Sequence, residues 1–377
     1  MSVYSQNRVY LDHNATSPLR NEAREAMLQA FDTLGNPVSL HGHGRDARKI
    51  CEDAREAVAL AMGVCAQDLI FTGSGTESDN TAIHSAYKAG CTHMLVAEMD
   101  HPATINAAQN CGAVCEKIPC NADGQTDMDW LRDRLKNWDS AEGRPFVSIT
   151  AANSETGVIQ DISTATDLTH DAGGLILVDA VQIMGKMPMT YNVDYLSVSA
   201  HKVGGPQGVG ALYVASDAPF TSLLQGGGQE KRRRAGTLNV AGIAGFGAAA
   251  NAATPMPHLS AMRDRIETEL RTMEPDITFF GENAPRLPNT SFLALPDVAA
   301  QTLLMGLDLE GVSVSTGTAC SSGVSRTSRV VNAMGLTDKA PLGAMRVSLG
   351  YTTTDANIDT FLNAWAKVRR YNQRVAS

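Results

Sequence analysis

A lysine stands where a short alternating segment gives way to glycines, in the stretch SVSAHKVGGPQGVG over residues 197–210. The segment before it, YLSVS, alternates apolar and hydroxyl side chains, which is typical of a strand. Lys202 therefore follows a strand end. Desolvation in a partly apolar cleft there lowers the pKa of an amine and makes it nucleophilic towards aldehydes, so the position favours Schiff-base chemistry. The alternative is an ordinary solvent-exposed lysine.

Two other strand ends carry side chains that could serve the same site. Asp179 ends the apolar run LILV, where a carboxylate is costly to desolvate unless it faces a cation or caps the next helix. The stretch GSGTESDN at 73–80 follows the strand-like DLIFT and reads as a helix start whose amides, with the Thr76 hydroxyl, could cradle a phosphate. It is neither a P-loop nor a complete dinucleotide fingerprint, and taken alone it favours a capped helix after a tight turn.

One small molecule accounts for all three positions. Pyridoxal phosphate has an aldehyde for Lys202, a phosphate for the Thr76 segment and a ring nitrogen that stays protonated beside a carboxylate such as Asp179. A nicotinamide cofactor would account for the glycines but for neither the lysine nor the aspartate. We therefore expect pyridoxal 5′-phosphate as the cofactor and no metal.

Two later segments add a thiol and a guanidinium. Cys320 lies in VSTGTACSSG, a small and polar setting in which a cysteine can reach solvent and react, whereas inert cysteines are usually surrounded by apolar residues. In GAMRVSLG at 343–350, alternation turns Arg346 away from the apolar face, where it could clamp a carboxylate bidentately. The alternative for Arg346 is a surface arginine.

The elements around these residues predict an α/β protein. Strand-length apolar stretches alternate with amphipathic helical ones, which indicates a mainly parallel sheet covered by helices, with LILV at its centre. The predicted strands are DLIFT (68–72), HMLVAE (93–98), FVSIT (146–150), GLILVDA (174–180), YLSVS (195–199) and GALYV (210–214). The proline-containing stretch NAATPMPH at 251–258 marks a boundary, after which a helix at 259–273, strands at 290–295 and 344–349, a helix near 299–307 and a helix from 355 form a smaller α+β domain.

Composition excludes several classes of protein. The 377-residue chain has a formal charge of −9 and its one dense basic cluster, KRRR at 231–234, is flanked by glycines, so we expect no nucleic-acid partner. The N-terminus lacks a signal-peptide core and no apolar run could span a bilayer, so we expect a cytoplasmic protein without a membrane partner. The seven cysteines do not form zinc spacings, and Cys111, Cys115 and Cys120 are interpreted as ordinary thiols.

At these residues the chain resembles the NifS/IscS-like cysteine desulfurases, pyridoxal-phosphate enzymes of the class V aminotransferase group. The resemblance runs almost end to end, through YLDHNATSP (10–18), GNPVSLHGHG (35–44), FTGSGTESDN, DHPA (100–103), ANSETG (152–157), VDAVQ (178–182), SAHKVGGPQGVGALY (199–213), GGGQEKRRRAGTLNV (226–240), RLPNT (286–290), GTACSSG and MRVSLG. It implies fold type I, the aspartate-aminotransferase-like fold. A large coenzyme-binding domain (15–255) would hold a mainly parallel seven-stranded sheet, and a small domain (1–14 and 256–377) would carry the cysteine loop.

The resemblance also implies a role for each site residue. Lys202 would bind the coenzyme's aldehyde, Asp179 its ring nitrogen and Gln182 its ring hydroxyl. His101 would stack on the ring and assist proton transfer. The phosphate would be held by Gly75, Thr76, Ser199 and His201, and by Thr237 from a second subunit, which implies a homodimer. The substrate would be bound by Asn14, Asn153 and Arg346.

The activity implied is desulfuration of L-cysteine. The Lys202 amine would remove the Cα proton, the Cys320 thiolate would take the sulfur as a persulfide, and L-alanine would leave. The sulfur would pass to an acceptor or iron–sulfur scaffold protein, for cluster assembly or for other sulfur-containing cofactors. The chain departs from the family pattern at Thr327, Ser328 and Arg329, where Pro-Ser-His or Pro-Ser-Tyr is common, and it lacks the longer C-terminal tail of housekeeping members. Selenocysteine lyase, a related β-lyase or, less favoured, a non-catalytic assembly partner are the alternatives.

Overall fold

The computed structural model describes residues 8–317 and 328–376, with side chains described as far as residue 371. Its strands are β1 (Val9–Tyr10), β2 (Leu69–Thr72), β3 (His93–Ala97), β4 (Val114–Ile118), β5 (Phe146–Thr150), β6 (Leu175–Asp179), β7 (Tyr195–Ser199), β8 (Gly210–Val214), β9 (Thr278–Phe279), β10 (Thr290–Ala294), β11 (Val312–Ser313), β12 (Ser315–Thr316) and β13 (Met345–Ser348).

Helices occupy most of the chain between and after these strands. They are α1 (Asn21–Phe31), α2 (Gly42–Met62), α3 (Gly75–Lys88), α4 (Pro102–Asn110), α5 (Met128–Lys136), α6 (Ile162–Asp171), α7 (Val240–Ala252), α8 (Leu259–Met273), α9 (Ala300–Leu309), α10 (Arg329–Ala333) and α11 (Asp355–Ala376). No helix among the described residues is long and apolar enough to cross a membrane.

A seven-stranded sheet forms the larger part of the fold, in the order β2-β8-β7-β6-β5-β3-β4. All neighbours from β7 to β4 are parallel, whereas β8 runs antiparallel to both β7 and β2. β6 occupies the middle position and all five of its residues are buried, because helices cover both faces of a parallel sheet. The expected mainly parallel seven-stranded sheet, with LILV at its centre, is confirmed.

The carboxyl ends of the parallel strands meet at one edge of this sheet, and the segments that follow them carry the candidate site. α3 follows β2, α4 follows β3, and a 3₁₀ turn at Ala200–Lys202 follows β7. Polar side chains cap these starts: Ser74 accepts from the amide of Glu77 at α3, and His101 accepts from the amide of Ala103 at α4. Polar residues that follow the strands therefore fix where these two helices begin.

A second, four-stranded antiparallel sheet has the order β12-β13-β10-β9. The apolar residues around it, from α8, α9 and α11, form a hydrophobic cluster separate from the one beneath the large sheet. β1 pairs with β11, so the N-terminal strand joins this second unit, and Asp12 then bridges to Ser348 at the end of β13. The predicted domain limits at 14/15 and 255/256 remain a prediction.

Candidate active site

Lys202 lies in the 3₁₀ turn after β7, half-buried, with its amine directed at the N-terminal segment. Nζ donates to the carbonyl oxygens of Asn14 (2.5 Å) and Ala15 (2.9 Å), and the Ser17 hydroxyl donates to the carbonyl of Lys202 itself (3.0 Å). The half-buried amine thus lies between the strand end and residues 14–17.

Asp179 is the last residue of β6 and is 6% exposed. The amide of Val181 donates to its Oδ1 (2.9 Å). Burial raises the pKa of Asp179, while that hydrogen bond and the charges that His101 and Lys202 carry when protonated lower it in part. The charges of these three residues act on one another, so the structure brings together the amine, the carboxylate and the imidazole that the sequence singled out.

Two further buried carboxylates surround Asp179. Desolvation and the Asp179 charge hold the pKa of Asp79 well above its usual range, and the Ser197 hydroxyl donates to Asp79 Oδ1 at 2.5 Å. Desolvation also raises the pKa of Asp100 to about 7. Crowded acids in a dry setting cannot all ionise, which favours a protonated Asp79.

His101 precedes α4 and lines an open cavity. Its Nδ1 accepts from the amide of Ala103 (3.1 Å), so Nε2 carries the proton in the neutral ring. Desolvation is the largest influence and lowers the pKa of His101; Asp179 opposes it, and Lys202 and Arg329 add to it. A neutral imidazole with an available flat face suits the predicted stacking role.

The start of α3 lies against the end of β7. A Cβ added at Gly75 would lie 2.9 Å from Val181 Cγ2 and 3.6 Å from Ser199 Cβ, so only glycine allows this approach. Thr76 is exposed beside it and Ser199 is buried. His201 Nδ1 lies 3.2 Å from Thr16 Oγ1, and burial lowers the pKa of His201 to about 4 with a smaller effect from Lys202, so the ring is neutral at pH 7.

Arg346 is buried at 8% exposure in the middle of β13 and is not a surface arginine. Nη2 donates to Asp12 Oδ1 (2.6 Å) and Nη1 to the carbonyl of Ser154 (3.0 Å). Nε has no hydrogen-bond partner among the described residues. A buried N–H without an acceptor is costly, so the guanidinium is prepared for a further carboxylate oxygen.

The two predicted substrate-binding amides are buried. Asn153 Oδ1 accepts from the amides of Glu155 (2.9 Å) and Thr156 (3.0 Å), and its Nδ2 donates to the Met99 carbonyl (3.0 Å). The Asn153 side chain therefore stabilises the turn at residues 153–156, and the second hydrogen of its Nδ2 is left to bind another partner.

Asn14 sits at the meeting point of the two sheets. Its Nδ2 donates to Thr290 Oγ1 (2.9 Å) and to the carbonyl of Ser154 (3.2 Å), while its backbone carbonyl accepts from Gln182 Nε2 (3.0 Å) as well as from Lys202. Gln182 is buried at 5% exposure. Asn14 thereby links Lys202 and Gln182 to the second unit.

A cavity of about 500 Å³ opens between α3 and α4 next to these residues. Its lining includes both Thr76 and His101, together with Asn80, His84, Asn106 and Cys111. The predicted phosphate segment and the predicted stacking ring therefore face one shared space. Among the described residues, no group of three or more His, Cys, Asp or Glu side chains is placed to hold a metal ion.

Two predicted residues stand apart from this group. Thr237 is exposed in the segment before α7, which Arg234 ties to α3 through Glu77 (Nε to Oε1, 2.9 Å). Cys320 lies outside the described residues. Two cysteines that the structure does describe are not expected to react. Burial raises the pKa of Cys120 to about 11 and that of Cys91 to about 12, so both remain protonated thiols at neutral pH.

Sequence reasoning did not single out Lys186, whose buried amine contacts the site, or Asp12, which holds Arg346. Both have a sequence signal. Lys186 lies one helical turn after Gln182, and Asp12 lies two residues before Asn14 in the motif YLDHNATSP. These spacings place both residues near the predicted site, but the sequence around them shows no alternation with apolar residues that would predict their burial.

Comparison with known proteins identifies the class. The family model described as aminotransferase class-V matches residues 9–361, so the chain belongs to the class-V aminotransferases. Within that family it belongs with the cysteine desulfurases. A cysteine desulfurase from Cereibacter sphaeroides is 39% identical over 368 residues, covering 94% of each chain. A cysteine desulfurase IscS from Dictyoglomus turgidum is 35% identical and covers 96% of this chain and 95% of its own.

Solved structures agree with this assignment. A NifS-like protein from Rickettsia africae superposes with a TM-score of 0.88 at 30% identity, covering 97% of this chain and 100% of its own. A second structure described as a NifS-like protein gives the same TM-score at 31% identity. The predicted family and the predicted fold are both confirmed.

Proposed function

We propose that this protein is a pyridoxal-phosphate-dependent cysteine desulfurase that transfers the sulfur of L-cysteine to Cys320 and releases L-alanine. The observation that carries the proposal is the convergence of the Lys202 amine, the Asp179 carboxylate and the His101 ring at the carboxyl edge of the sheet. Membership of the cysteine desulfurases supports the reaction.

The residues present fit the coenzyme. Asp179 is a buried carboxylate at a strand end, an arrangement that is costly without a cationic partner such as a protonated ring nitrogen. Gly75 leaves an open cradle between the first amides of α3 and Ser199, where a Cβ would otherwise intrude. Thr76, Ser199 and His201 would hold the phosphate there, with Thr237 contributed by a second subunit, and Gln182 would donate to the ring oxygen.

When bound, pyridoxal phosphate supplies an aldehyde that links to an amino group and a ring that withdraws electrons from the neighbouring carbon. Lys202 Nζ serves as the base that accepts the Cα proton of the substrate. The carbonyl oxygens of Asn14 and Ala15 hold the amine in place and accept its hydrogens once it is protonated. His101 Nε2, whose proton is fixed by the Ala103 contact at Nδ1, is the second proton carrier.

Arg346 selects an amino acid with a free carboxylate. Its Nε, which has no partner in the part of the chain that the structure describes, offers the N–H for one carboxylate oxygen, and Asp12 and Ser154 hold the guanidinium in place through its Nη atoms. Asn153 offers its remaining amide hydrogen to the same group. Both side chains are buried before any substrate arrives, so little orientation entropy is lost on binding.

Cys320 is proposed as the sulfur acceptor because GTACSSG is the motif that distinguishes desulfurases in the family resemblance. In the net step the bond between Cβ and sulfur of the substrate breaks, a sulfur–sulfur bond forms on Cys320, and the proton of its thiol is balanced by the hydrogen gained at Cβ of alanine. The products are one L-alanine and one Cys320 persulfide.

Several finer assignments belong to this proposal. The persulfide sulfur would pass to an acceptor or iron–sulfur scaffold protein, in the cytoplasm, from a homodimer with shared sites. The relative named IscS is consistent with a role in supplying sulfur. The chain departs from the family sequence pattern at Thr327, Ser328 and Arg329, so the sulfur acceptor is the partner to identify first.

The test is incubation of the coenzyme-loaded protein with L-cysteine, followed by intact mass measurement and assay of alanine. Wild type should gain one sulfur on Cys320 and release alanine. Cys320→Ala should do neither efficiently, whereas Cys65→Ala, which removes an exposed cysteine elsewhere, should match wild type. Alanine release that survives in Cys320→Ala would contradict the role of the thiol, and absence of alanine from wild type would contradict the proposed function.

A further inference from the structure

A second lysine is buried inside the candidate site. Lys186 follows β6 in the segment 180–187 and is only 4% exposed. Its Nζ donates to Gln182 Oε1 at 2.7 Å and to Asn14 Oδ1 at 3.1 Å. Both acceptors belong to the network that holds Lys202, yet the proposed reaction makes no use of this second amine.

The surroundings of Lys186 are unfavourable for a cation. Its two hydrogen-bond acceptors are neutral amide oxygens, and the charged groups that act on it, Lys202 and Arg346, are both cations. Burial lowers the pKa of Lys186 well below its usual range, and these two charges lower it further. A buried amine that costs stability in this way is typical of functional sites.

The hydrogen bonds of Lys186 determine how Gln182 is oriented. Lys186 Nζ donates hydrogens to both Gln182 Oε1 and Asn14 Oδ1, so the oxygen of the Gln182 amide faces the amine. At the other end, the Asn14 carbonyl has only acceptor capacity, so Gln182 Nε2 must face it, at 3.0 Å. Two anchors of opposite character thus fix the amide, and the second hydrogen of Nε2 stays available as a donor.

We infer that Lys186 is a positioning residue for the coenzyme: it holds the Gln182 amide so that Nε2, a donor, is presented to the coenzyme's ring oxygen. This inference rests on the proposed function. A donor at that position stabilises negative charge on the ring oxygen, whereas a rotated amide would present an acceptor and repel it. Without Lys186, the Asn14 carbonyl is the one remaining hydrogen-bond partner of the amide among the described residues, and the amide is then free to rotate.

The test is a double-mutant cycle on the intact protein, with Lys186→Met, Gln182→Leu and the double variant. The dissociation constant of pyridoxal phosphate should rise about tenfold in each single variant and no further in the double variant. The pH midpoint of the bound coenzyme's visible absorption change should shift equally in all three. The melting temperature of the coenzyme-free Lys186→Met protein should be no lower than that of wild type, because an apolar side chain replaces a buried amine whose acceptors, among the residues described, are neutral amide oxygens.

Asn289→Leu is the matched control. Asn289 Nδ2 donates to the same Asn14 Oδ1 at 3.0 Å, but Asn289 does not contact Gln182. If Lys186 acts through Gln182, Asn289→Leu should leave the pH midpoint at its wild-type value. If Lys186 only supports Asn14, Asn289→Leu should reproduce the Lys186→Met effect, which would overturn the inference.

Gln182→Glu gives an independent measurement. A carboxylate at position 182 would pair with Lys186 and raise the melting temperature of the coenzyme-free protein, but it has no hydrogen to donate, so coenzyme binding should weaken. Additive losses in the double-mutant cycle, or wild-type coenzyme affinity and pH midpoint in Lys186→Met, would overturn the inference while leaving the proposed function intact. Failure of wild type to bind pyridoxal phosphate would instead overturn the proposed function.

Discussion

A buried ion pair holds the segment at residues 226–239, which carries Thr237. We predict that breaking this pair destabilises the protein and releases the segment. Glu230 contacts Arg55 of α2 with both carboxylate oxygens, at 2.7 and 2.8 Å, and the Phe71 amide donates to Glu230 Oε2 at 2.9 Å. The side chains of Arg55 and Glu230 are 7% and 2% exposed. Both charges are therefore largely withdrawn from water. Arg55 also pairs with the more exposed Glu52 (Nε to Oε2, 3.1 Å), so Glu230 depends on Arg55 more than Arg55 depends on Glu230.

The same contact holds a strained backbone. Glu230, Lys231 and Arg232 have φ values of 45°, 55° and 68°, and such left-handed residues cost about 1 kcal/mol or more each. Removing one partner of a buried pair costs about 3–5 kcal/mol. Since release of the strained segment recovers part of that, we expect Glu230→Ala to lower the free energy of unfolding by about 2–3 kcal/mol and to free the segment locally.

The assay is chemical denaturation of the coenzyme-free protein at one fixed protein concentration, combined with limited trypsin digestion after Lys231 and Arg232. Arg55→Met should be similarly destabilising. The double variant Arg55→Met/Glu230→Met should lose less than the two single variants together, because no charge is left buried alone. An unfolding free energy within about 0.5 kcal/mol of wild type in Glu230→Ala, with no new cleavage, would refute the reasoning.

Three further predictions follow from the site. Burial, with smaller effects from Lys186 and Arg20, lowers the pKa of His13 from 6.5 to about 4, so the unfolded chain binds more protons than the folded chain between these pH values. The free energy of unfolding should therefore fall by about 3 kcal/mol as the pH is lowered from 6.5 to 4. In urea titrations, His13→Gln should lose less stability over the same range. Desolvation raises the pKa of Asp100 from 3.8 to about 7, so the folded protein loses stability as the pH rises through that range. The free energy of unfolding of Asp100→Asn should exceed that of wild type by up to about 4 kcal/mol above pH 7 and should equal it at pH 3. The same difference between variant and wild type at both pH values would contradict this prediction. Gly75→Ala should weaken pyridoxal phosphate binding roughly tenfold, measured by equilibrium dialysis, because its Cβ would enter the cradle.

Much of the large sheet is predictable because its strands carry strong local signals. The segments FVSIT, YLSVS and GALYV coincide with β5, β7 and β8 to the residue, and the predicted helix at 259–273 coincides with α8. The direction of β8 was not predicted. The ten residues between β7 and β8 are too short for a parallel crossover, so the antiparallel pairing was available from loop length.

Short strands of the second unit escaped prediction for a physical reason. β1, β9, β11 and β12 contain two residues each, too few for any periodicity, and they form only because distant segments meet. The same non-local packing buries Lys186 and Asp12. In sequence each resembles a surface charge, and only the arrival of residues 12–14 beside β6 and β13 reveals the contacts that they make.

The predicted site residues share a different feature. Lys202 and Asp179 were identifiable because Asp179 ends a strand and Lys202 closely follows one, and strand ends of a parallel sheet converge. Arg346 was identifiable only as leaving the apolar face of its strand. Its burial, and the lack of a partner for its Nε within residues 8–317 and 328–376, depend on contacts with Asp12 and Ser154, which are far away in sequence.

The most direct test of the account is to ask which amine carries the coenzyme, because the site holds two, Lys202 and Lys186. The protein loaded with pyridoxal phosphate is reduced with borohydride and digested, and the modified peptide is identified by mass spectrometry. The account predicts the pyridoxyl group on Lys202 alone. Modification of Lys186, or no modification of a protein that retains its coenzyme, would contradict it.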